Sequence, residues 1–202
     1  MSSRDQILGR IRKNRPRLNR PLPEVPLFDS TETSLFETFK QNLERMGGLF
    51  LSPPTSGDAL APVQAKIATA KVVCSTVPEI AGNRSIADIH RPQDLADVDF
   101  AIVRASFAVA ETGSVLLSDA NLEVNSVAYL AQHLIVLLDP ADIVINLHHA
   151  YRRQEFRDRH YASFHTGPSA TADIEGVLIH GAQGVRSLSV LPIARAAGSP
   201  TR

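Results

Sequence analysis

FAIVRASFAVAETGSVLL, at residues 100–117, contains three short apolar runs that are separated by small or polar residues. The runs cover residues 100–103, 107–109 and 115–117, and they have the length of buried β-strands. Between the last two runs lies Glu111-Thr112-Gly113, where the glycine favours a turn. The stretch therefore predicts three strands, and a hairpin turn is the simplest connection between the last two.

Upstream of this stretch, helix and strand signals alternate. Ser34 and Glu37 have the spacing of a capping box, and the helix that they begin ends at a double glycine. Apolar runs at residues 49–51 and 72–74 predict strands, and the spacing of apolar residues between them predicts a helix at residues 60–67. Such alternation is typical of a parallel or mostly parallel sheet with helices on its faces.

Downstream, strands and helices continue in turn. Residues 135–138 form a strongly apolar run that predicts a buried strand, and a helix is predicted at residues 142–153. A strand at residues 161–165 leads into a second predicted helix that begins near Ser169, and a strand at residues 188–191 closes the core. The sequence thus predicts an α/β fold, in which a layered, mostly parallel sheet is flanked by helices.

The two ends of the chain differ from its middle in composition. Ser3 and Gln6 have capping-box spacing at the start of a short amphipathic helix, and a basic, proline-rich stretch follows. We interpret the basic residues as a solvated arm, because no aromatic residue lies among them to stack on nucleic-acid bases. We expect an N-terminal helix and linker at residues 1–30, an α/β domain at residues 31–195 and a flexible tail at residues 196–202.

The overall composition argues against several classes of protein. The 202 residues include 21 Lys and Arg and 21 Asp and Glu, so no net field attracts nucleic acid or an anionic membrane. No apolar stretch is long enough to span a bilayer or to act as a secretory signal. Cys74 is the only cysteine, which excludes an internal disulfide and a cluster ligated by this chain alone. We expect a cytoplasmic protein that binds neither nucleic acid nor membranes and holds no cofactor of its own.

Two segments resemble those of a known family. The first is FAVAETGSVLL at residues 107–117, and the second is TGPSATADIE at residues 166–175. The second segment matches the signature Gly-Pro-Ser-x-Thr-x-Asp-Ile-Glu at every fixed position, and the first precedes it in the right order and spacing. Together they resemble the LUD (lactate-utilisation) domain family, over residues 30–192.

This resemblance implies both a fold and a function. The family's fold is similar to that of ribose-phosphate isomerases and CoA-transferases, and its members are associated with the oxidation of L-lactate to pyruvate. They are encoded beside an iron–sulfur protein and an oxidoreductase-like subunit, and a chain with one cysteine resembles the short member that carries no cluster. The resemblance therefore implies a component of a lactate-utilisation system with these two partners. The alternative is a stand-alone enzyme of the CoA-transferase or sugar-phosphate isomerase type that uses Glu111.

The two segments also supply the candidate site. By analogy with CoA-transferases, Glu111 is the candidate catalytic nucleophile or base, and the alternative is a solvated glutamate in an ordinary hairpin. A helix that begins after Pro168 would offer backbone N–H groups and hydroxyls to a small anion, and the alternative is a simple helix cap. We expect both segments to line one cleft. The predicted ligand-binding residues are Thr112, Gly113, Ser114, Thr166, Gly167, Pro168, Ser169, Thr171 and Asp173.

No metal site is predicted, and the chain departs from the family pattern at several positions, including an arginine and a proline that are lost ahead of His133. His148 and His149 are adjacent, so on a helix their side chains would point about 100° apart and could not hold one ion. Near the C-terminal end, Gln183 and Val185 stand where the family usually has a histidine and a proline. These departures indicate either a different substrate or a structural role.

Overall fold

The computed structural model describes residues 2–16, 21, 23–29, 34–172, 177–181 and 183–195. The predicted tail at residues 196–202 lies outside these ranges. The helices are α1 (Ser3–Asn14), α2 (Leu35–Arg45), α3 (Ala61–Ile67), α4 (Asp119–Leu122), α5 (Val127–Leu130), α6 (Leu147–Ala150) and α7 (Gln154–Arg157). Short 3-10 helices cover Ile86–Asp88, Pro92–Leu95 and Pro140–Asp142. None of the helices within the described ranges is both long and apolar enough to cross a membrane.

The described strands form two large sheets and one short hairpin. They are β1 (Leu49–Phe50), β2 (Val73–Ser75), β3 (Phe100–Arg104), β4 (Phe107–Val109), β5 (Ser114–Ser118), β6 (His133–Leu138), β7 (Ile143–Val144), β8 (Ala162–His165), β9 (Ala170–Thr171), β10 (Ile179–His180) and β11 (Ser187–Pro192). The larger sheet has the order β1-β11-β6-β3-β2, and all its pairs are parallel. The second sheet, β7-β4-β5-β8, joins β7 to β4 in parallel and its other pairs antiparallel. The predicted α/β fold with a mostly parallel central sheet is confirmed.

Strand β6 lies at the centre of the parallel sheet because its apolar run is buried on both faces. Leu134, Val136 and Leu138 pack into the core cluster that also contains residues of the second sheet. Ile135 and Leu137 pack on the opposite face, in the cluster to which α3 contributes. A continuous apolar run without alternation is typical of a parallel strand that is covered on both sides. The predicted strand at residues 135–138 is therefore confirmed.

The second sheet lies between the parallel sheet and α6. Ala108 and Val115 belong to the core cluster shared with the parallel sheet, whereas Phe107 and Leu116 pack with Ala150 of α6. Successive residues of a strand point to opposite faces of its sheet, which explains this division. Strands β4 and β5 are antiparallel and are joined by the turn that contains Glu111, so the predicted hairpin is confirmed.

Two glycines allow α2 to approach the second sheet closely. Gly113 and Gly167 have positive φ angles of 65° and 63°. A Cβ atom at Gly113 would lie 2.2 Å from the backbone nitrogen of Leu43, and one at Gly167 would lie 2.1 Å from the carbonyl oxygen of Met46. Each signature segment thus packs its glycine against the C-terminal end of the same helix. Glycine is required at both positions for its left-handed φ and for the absence of a side chain.

The predicted helix at residues 142–153 is wrong in its first half. A 3-10 helix ends at Asp142, and Ile143–Val144 forms β7, which pairs in parallel with β4. Helix α6 begins only at Leu147, after the N-cap residue Asn146. The apolar residues whose spacing predicted one helix lie in a strand and in one short helix, because residues 143–144 pair with the edge of β4.

The predicted helix after Ser169 is also wrong where the structure describes it. Ala170–Thr171 forms β9, which pairs antiparallel with β10. The Ser169 amide donates to the Val185 carbonyl at 2.9 Å, and the Ser169 carbonyl accepts from the Gly181 amide at 2.7 Å. The backbone N–H and carbonyl of Ser169, at the predicted helix start, are thus both bonded to residues that are distant in the sequence.

The predicted N-terminal helix is present as α1, but its cap is one residue earlier than expected. The Ser2 hydroxyl accepts from the Asp5 amide at 3.2 Å, and the Asp5 carboxylate accepts from the Ser2 amide at 3.1 Å. No residue of α1 is buried, and Ile7 and Ile11 are exposed. The division of the chain at residues 30 and 195 stays a prediction.

The contact between Gly113 and α2 makes a prediction about stability. Gly113→Ala should lower the free energy of unfolding by about 2 to 5 kcal/mol, since left-handed strain and backbone overpacking both oppose the methyl group. Gly57→Ala is the matched control, because Gly57 has a φ of 95° but no atom within 4 Å of its added Cβ. The control should lose only about 1 to 2 kcal/mol. Urea unfolding measures both values, and equal losses would contradict the close approach.

Candidate functional site

The two signature segments lie side by side at one end of the second sheet. Strands β5 and β8 are neighbours, and Val115 is paired with His165. The Ser114 hydroxyl forms a hydrogen bond with the Thr166 hydroxyl, and it lies 2.7 Å from the Thr112 hydroxyl. Residues from both segments therefore share one chain of hydroxyl groups.

Glu111 lies in the turn between β4 and β5, and its carboxylate reaches the start of α6. Its backbone N–H donates to the Ile145 carbonyl at 3.0 Å, and its Oε2 accepts from the Leu147 N–H at 3.1 Å. Leu147 is the first residue of α6, so the carboxylate satisfies one of the free N–H groups of this helix. The residue is exposed, and Oε1 has no hydrogen-bond partner within the described ranges. One oxygen thus remains available to a ligand.

A cleft of about 510 Å³ opens beside Glu111, and we name it the Glu111 cleft. It lies between α2, the Glu111 turn, the residues around the start of α6, and Phe28. Most of its side chains are polar, and Arg45 supplies a positive charge that suits an anionic ligand. The lining residues are Phe28, Thr38, Gln41, Asn42, Arg45, Glu111, Ile145, Asn146 and His148.

Two asparagines outside the predicted set hold the walls of the Glu111 cleft. The Asn42 side chain donates from α2 to the carbonyls of residues 110 and 111, at 2.8 and 3.0 Å. The Asn146 side chain donates to the carbonyls of residues 27 and 28, at 2.8 and 2.9 Å. The place of Asn146 before a short helix is the sequence signal of an N-cap, and it could have identified this residue. No local pattern marks Asn42, because its partners are distant in sequence.

Among the predicted site residues that the structure describes, Glu111 alone lines the Glu111 cleft. In the hydroxyl chain, Ser114 is 4% exposed, so its hydroxyl serves mainly to join the two segments. Gly113 and Gly167 pack against α2, and a Cβ atom at Gly47 would lie 3.3 Å from Pro168 Cδ. These residues therefore shape the turns beside the cleft, and their role in ligand binding stays a prediction.

The predicted anion site at Ser169 depended on the start of a helix, and the structure has strand β9 at this position instead. The Ser169 amide is bonded to the Val185 carbonyl and is not free for an anion. Thr171 lies in β9, whereas Asp173 lies outside the described residues. Val185 belongs to the core, so the departure from the family pattern at this position is a change in packing. Gln183 is exposed, and nothing in the structure explains its exchange for histidine.

The two adjacent histidines make separate contacts within the chain. The His148 ring packs against the Phe28 ring with centroids 4.9 Å apart, whereas His149 Nε2 lies 2.7 Å from Asp29 Oδ1. Both contacts fasten residues 23–29 to α6. Within the described ranges, no group of three or more His, Cys, Asp or Glu side chains is arranged to hold a metal ion.

His165, which directly precedes the second signature segment, is largely enclosed by protein. Its Nε2 atom is buried and has no hydrogen-bond partner in the described part of the chain, and its ring lies 5.1 Å from that of Tyr129. Burial lowers the pKa of His165 to about 4, so the imidazole is neutral at pH 7. The hydroxyls of Tyr129 and Tyr161 share a hydrogen bond. Burial is the larger cause and this bond the second cause that raise the pKa of Tyr161 to about 12.

The low pKa of His165 predicts a pH dependence of stability. Because the unfolded histidine has the higher pKa, near 6.5, the unfolded state takes up a proton first as the pH falls. The contribution of neutral His165 to the free energy of unfolding is therefore complete above pH 6.5. It is lost progressively towards pH 4, and the free energy of unfolding is lower by about 2 kcal/mol at pH 5. Urea unfolding between pH 7 and 5 measures it.

His165→Gln should flatten this dependence, and His90→Gln, a change of an exposed histidine, is the matched control. An unchanged slope in His165→Gln would contradict the assigned pKa.

Comparisons with known proteins agree with the predicted family. A crystal structure of a DUF162 family protein from Deinococcus radiodurans superposes with a TM-score of 0.58 and 14% identity, covering 77% of this chain and 94% of that chain. At this identity the likeness shows a shared fold. An uncharacterized protein of Neisseria meningitidis serogroup B (strain MC58) is 25% identical over 166 residues, which cover 81% of this chain and 69% of that protein.

The family model of the LUD domain matches residues 79–192, which is more than half of the chain. The matched region begins four residues after the end of β2 and runs to the end of β11, and it includes both signature segments. The resemblance predicted from those segments is confirmed. This chain belongs to the LUD domain family.

Proposed function

We propose that this chain takes part in the oxidation of L-lactate to pyruvate, together with an iron–sulfur protein and an oxidoreductase-like subunit. The LUD domain family is associated with lactate utilisation, and the match over residues 79–192 is the observation that carries the proposal. Such a system needs a site for a small anion and an acceptor for two electrons.

The need for an electron acceptor supports the involvement of a partner. Oxidation of a hydroxyl to a ketone removes two electrons and two protons. Cys74 is the only cysteine, its side chain is fully buried, and burial raises the pKa of its thiol. Clusters are held by several exposed or pre-arranged thiolates, and this chain offers none. In our proposal the cluster therefore belongs to the iron–sulfur protein.

A second candidate function is acyl or sugar-phosphate chemistry at Glu111 in a stand-alone enzyme. The free Oε1 atom and the presence of Arg45 in the Glu111 cleft favour it, because they pair a base with an anion-binding group. The bond from the Leu147 N–H to Oε2 opposes it, since this bond already engages the carboxylate at the start of α6. A helix cap is the role that this bond supports directly.

Growth of a deletion strain tests the proposed function. Loss of the gene should slow growth on L-lactate and leave growth on pyruvate unchanged, because only the step between the two acids is removed. Growth rates on both carbon sources measure the effect, and restoration by the wild-type gene is the control. Equal growth on both acids, in a host without a second copy, would contradict the proposal.

The same strain tests whether growth on L-lactate needs the carboxylate of Glu111. Glu111→Gln retains an oxygen that can accept the Leu147 N–H, so the variant should fold, but it can no longer act as a nucleophile or base. Under our proposal this variant restores growth on L-lactate. Loss of growth with an unchanged melting temperature would instead favour chemistry at Glu111.

A further inference from the structure

A second pocket, of about 350 Å³, lies at the amino edge of the parallel sheet, and we name it the His133 pocket. At this edge Phe100, His133 and Ser187 lie in register at the starts of β3, β6 and β11. The lining residues that matter below are Lys71, Asp99, Phe100, His133 and Arg186. The His133 pocket shares no lining residue with the Glu111 cleft, so the two are separate sites.

The imidazole of His133 is held in place, and one of its nitrogens stays accessible. Nδ1 lies 2.8 Å from the Ser187 hydroxyl oxygen, and the ring stacks on that of Phe100 with centroids 4.8 Å apart. Nε2 has no hydrogen-bond partner in the described part of the chain, yet it is not among the buried side-chain atoms that lack one. Nε2 is therefore open to solvent, and a ligand in the pocket can reach it.

Three basic side chains surround this ring without being neutralised. Lys71 and Arg186 line the pocket and are exposed, and Lys66 lies in the last turn of α3. Within the described ranges none of the three forms an ion pair, whereas five other arginines do. Burial, followed by the charges of Lys66 and Arg186, lowers the pKa of His133, so a positive field reaches the ring.

Asp99 is the carboxylate that faces these basic groups, and its side chain is already engaged. Its Oδ2 accepts from the backbone N–H groups of Lys71 and Val72, at 2.7 and 2.9 Å. The bond from Val72, followed by that from Lys71, lowers the pKa of Asp99, so it is charged at pH 7. Three positive charges and this one negative charge leave a net charge of +2 around a neutral His133.

The side chain of Arg186 is placed by its neighbours in the fold. A Cβ atom at Gly181 would lie 2.6 Å from Arg186 Cγ, so the stem of the arginine lies directly against the backbone of this glycine. The Arg186 N–H donates to the Gln132 carbonyl at 2.7 Å, next to His133. A stem that is fixed before binding reduces the entropy lost when the guanidinium holds a ligand.

We propose that the His133 pocket binds the phosphate group of a small molecule. Arg186 and Lys71 pair with the phosphate oxygens, and the Nε2–H of His133 donates to one of them. The Ser187 hydroxyl donates to Nδ1 in this arrangement, which leaves the proton of the neutral ring on Nε2. A surrounding charge of +2 suits a dianion better than a carboxylate with a single charge. This site is independent of the proposed function.

Binding to the purified full chain tests the site, with inorganic phosphate and glycerol phosphate as probes. Both should shift the ring resonances of His133 and the backbone amide resonances of Lys71 and Arg186. Acetate at the same ionic strength carries one charge, so it should bind at least about tenfold more weakly. Tighter binding of glycerol phosphate would identify an ester as the ligand, and equal binding would identify the phosphate group alone. Shifts that do not saturate, or equal binding of acetate, would overturn the proposal.

Charge-removing variants examine the role of Arg186. Arg186→Gln should weaken phosphate binding at least about tenfold, whereas Arg157→Gln removes the same charge from the exposed surface of α7 and should not. Lys71→Gln changes an exposed side chain and serves as the second variant if Arg186→Gln does not fold. Wild-type affinity in a folded pocket variant, or equal weakening by Arg157→Gln, overturns the site.

The titration of His133 gives a readout that simple charge screening would not move. Sulfate keeps two negative charges throughout the titration of a histidine, and it should occupy the same groups as phosphate. Saturating sulfate should raise the pKa of His133, because a bound dianion favours the imidazolium. The ring resonances follow the titration, and sodium chloride at the same ionic strength is the control. An unchanged pKa in sulfate, or the same change in chloride, contradicts the proposal.

Discussion

A side chain at Gly113 or Gly167 would collide with the backbone at the C-terminal end of α2, and the rest of the site depends on this close approach. The two glycines come from turns that follow different strands, yet both take a left-handed φ and both meet the same helix. Contact between backbones defines a distance more narrowly than contact between flexible side chains. The helix is therefore held against the second sheet at two points.

Burial of apolar side chains draws α2 towards the two sheets, and the glycine contacts set how closely the helix can approach. Phe39 and Leu43 of α2 are fully buried in the core cluster shared by the two sheets. Burying each such side chain stabilises the fold by about 1.5 to 3 kcal/mol. In this position Asn42 reaches the carbonyls of the Glu111 turn, and one wall of the Glu111 cleft is formed. The signature segments thus act first as packing elements, and the cleft is a consequence of that packing.

The elements that the sequence predicts correctly are those with a strong local cause. The strands at residues 107–109, 115–117 and 135–138 follow from apolar runs, and the cap at Ser34 follows from its spacing to Glu37. The hairpin of β9 and β10 has no such local cause. Its start is fixed by backbone hydrogen bonds from Ser169 to Gly181 and Val185, and no local sequence pattern predicts these bonds.

The same limit applies to the candidate sites. Glu111 is recognisable as a turn residue, but its bond to Leu147 joins positions 36 apart in the chain. At the carboxyl edge of the parallel sheet, the bonded residues Arg104 and Glu79 are 25 positions apart, and Arg195 and Ser106 are 89 apart. Such contacts arise only when the parallel strands bring their carboxyl ends together, so residue type and spacing do not reveal them.

Native-state hydrogen exchange tests most directly whether α2 and the glycine turns form one unit. The Leu43 amide lies within α2, and the Gly113 amide donates to the Val109 carbonyl at 3.0 Å. We expect both amides to exchange through one opening, with the same free energy and the same dependence on urea. Exchange of the Leu43 amide through a separate opening of low free energy, while the Gly113 amide stays protected, would contradict the account.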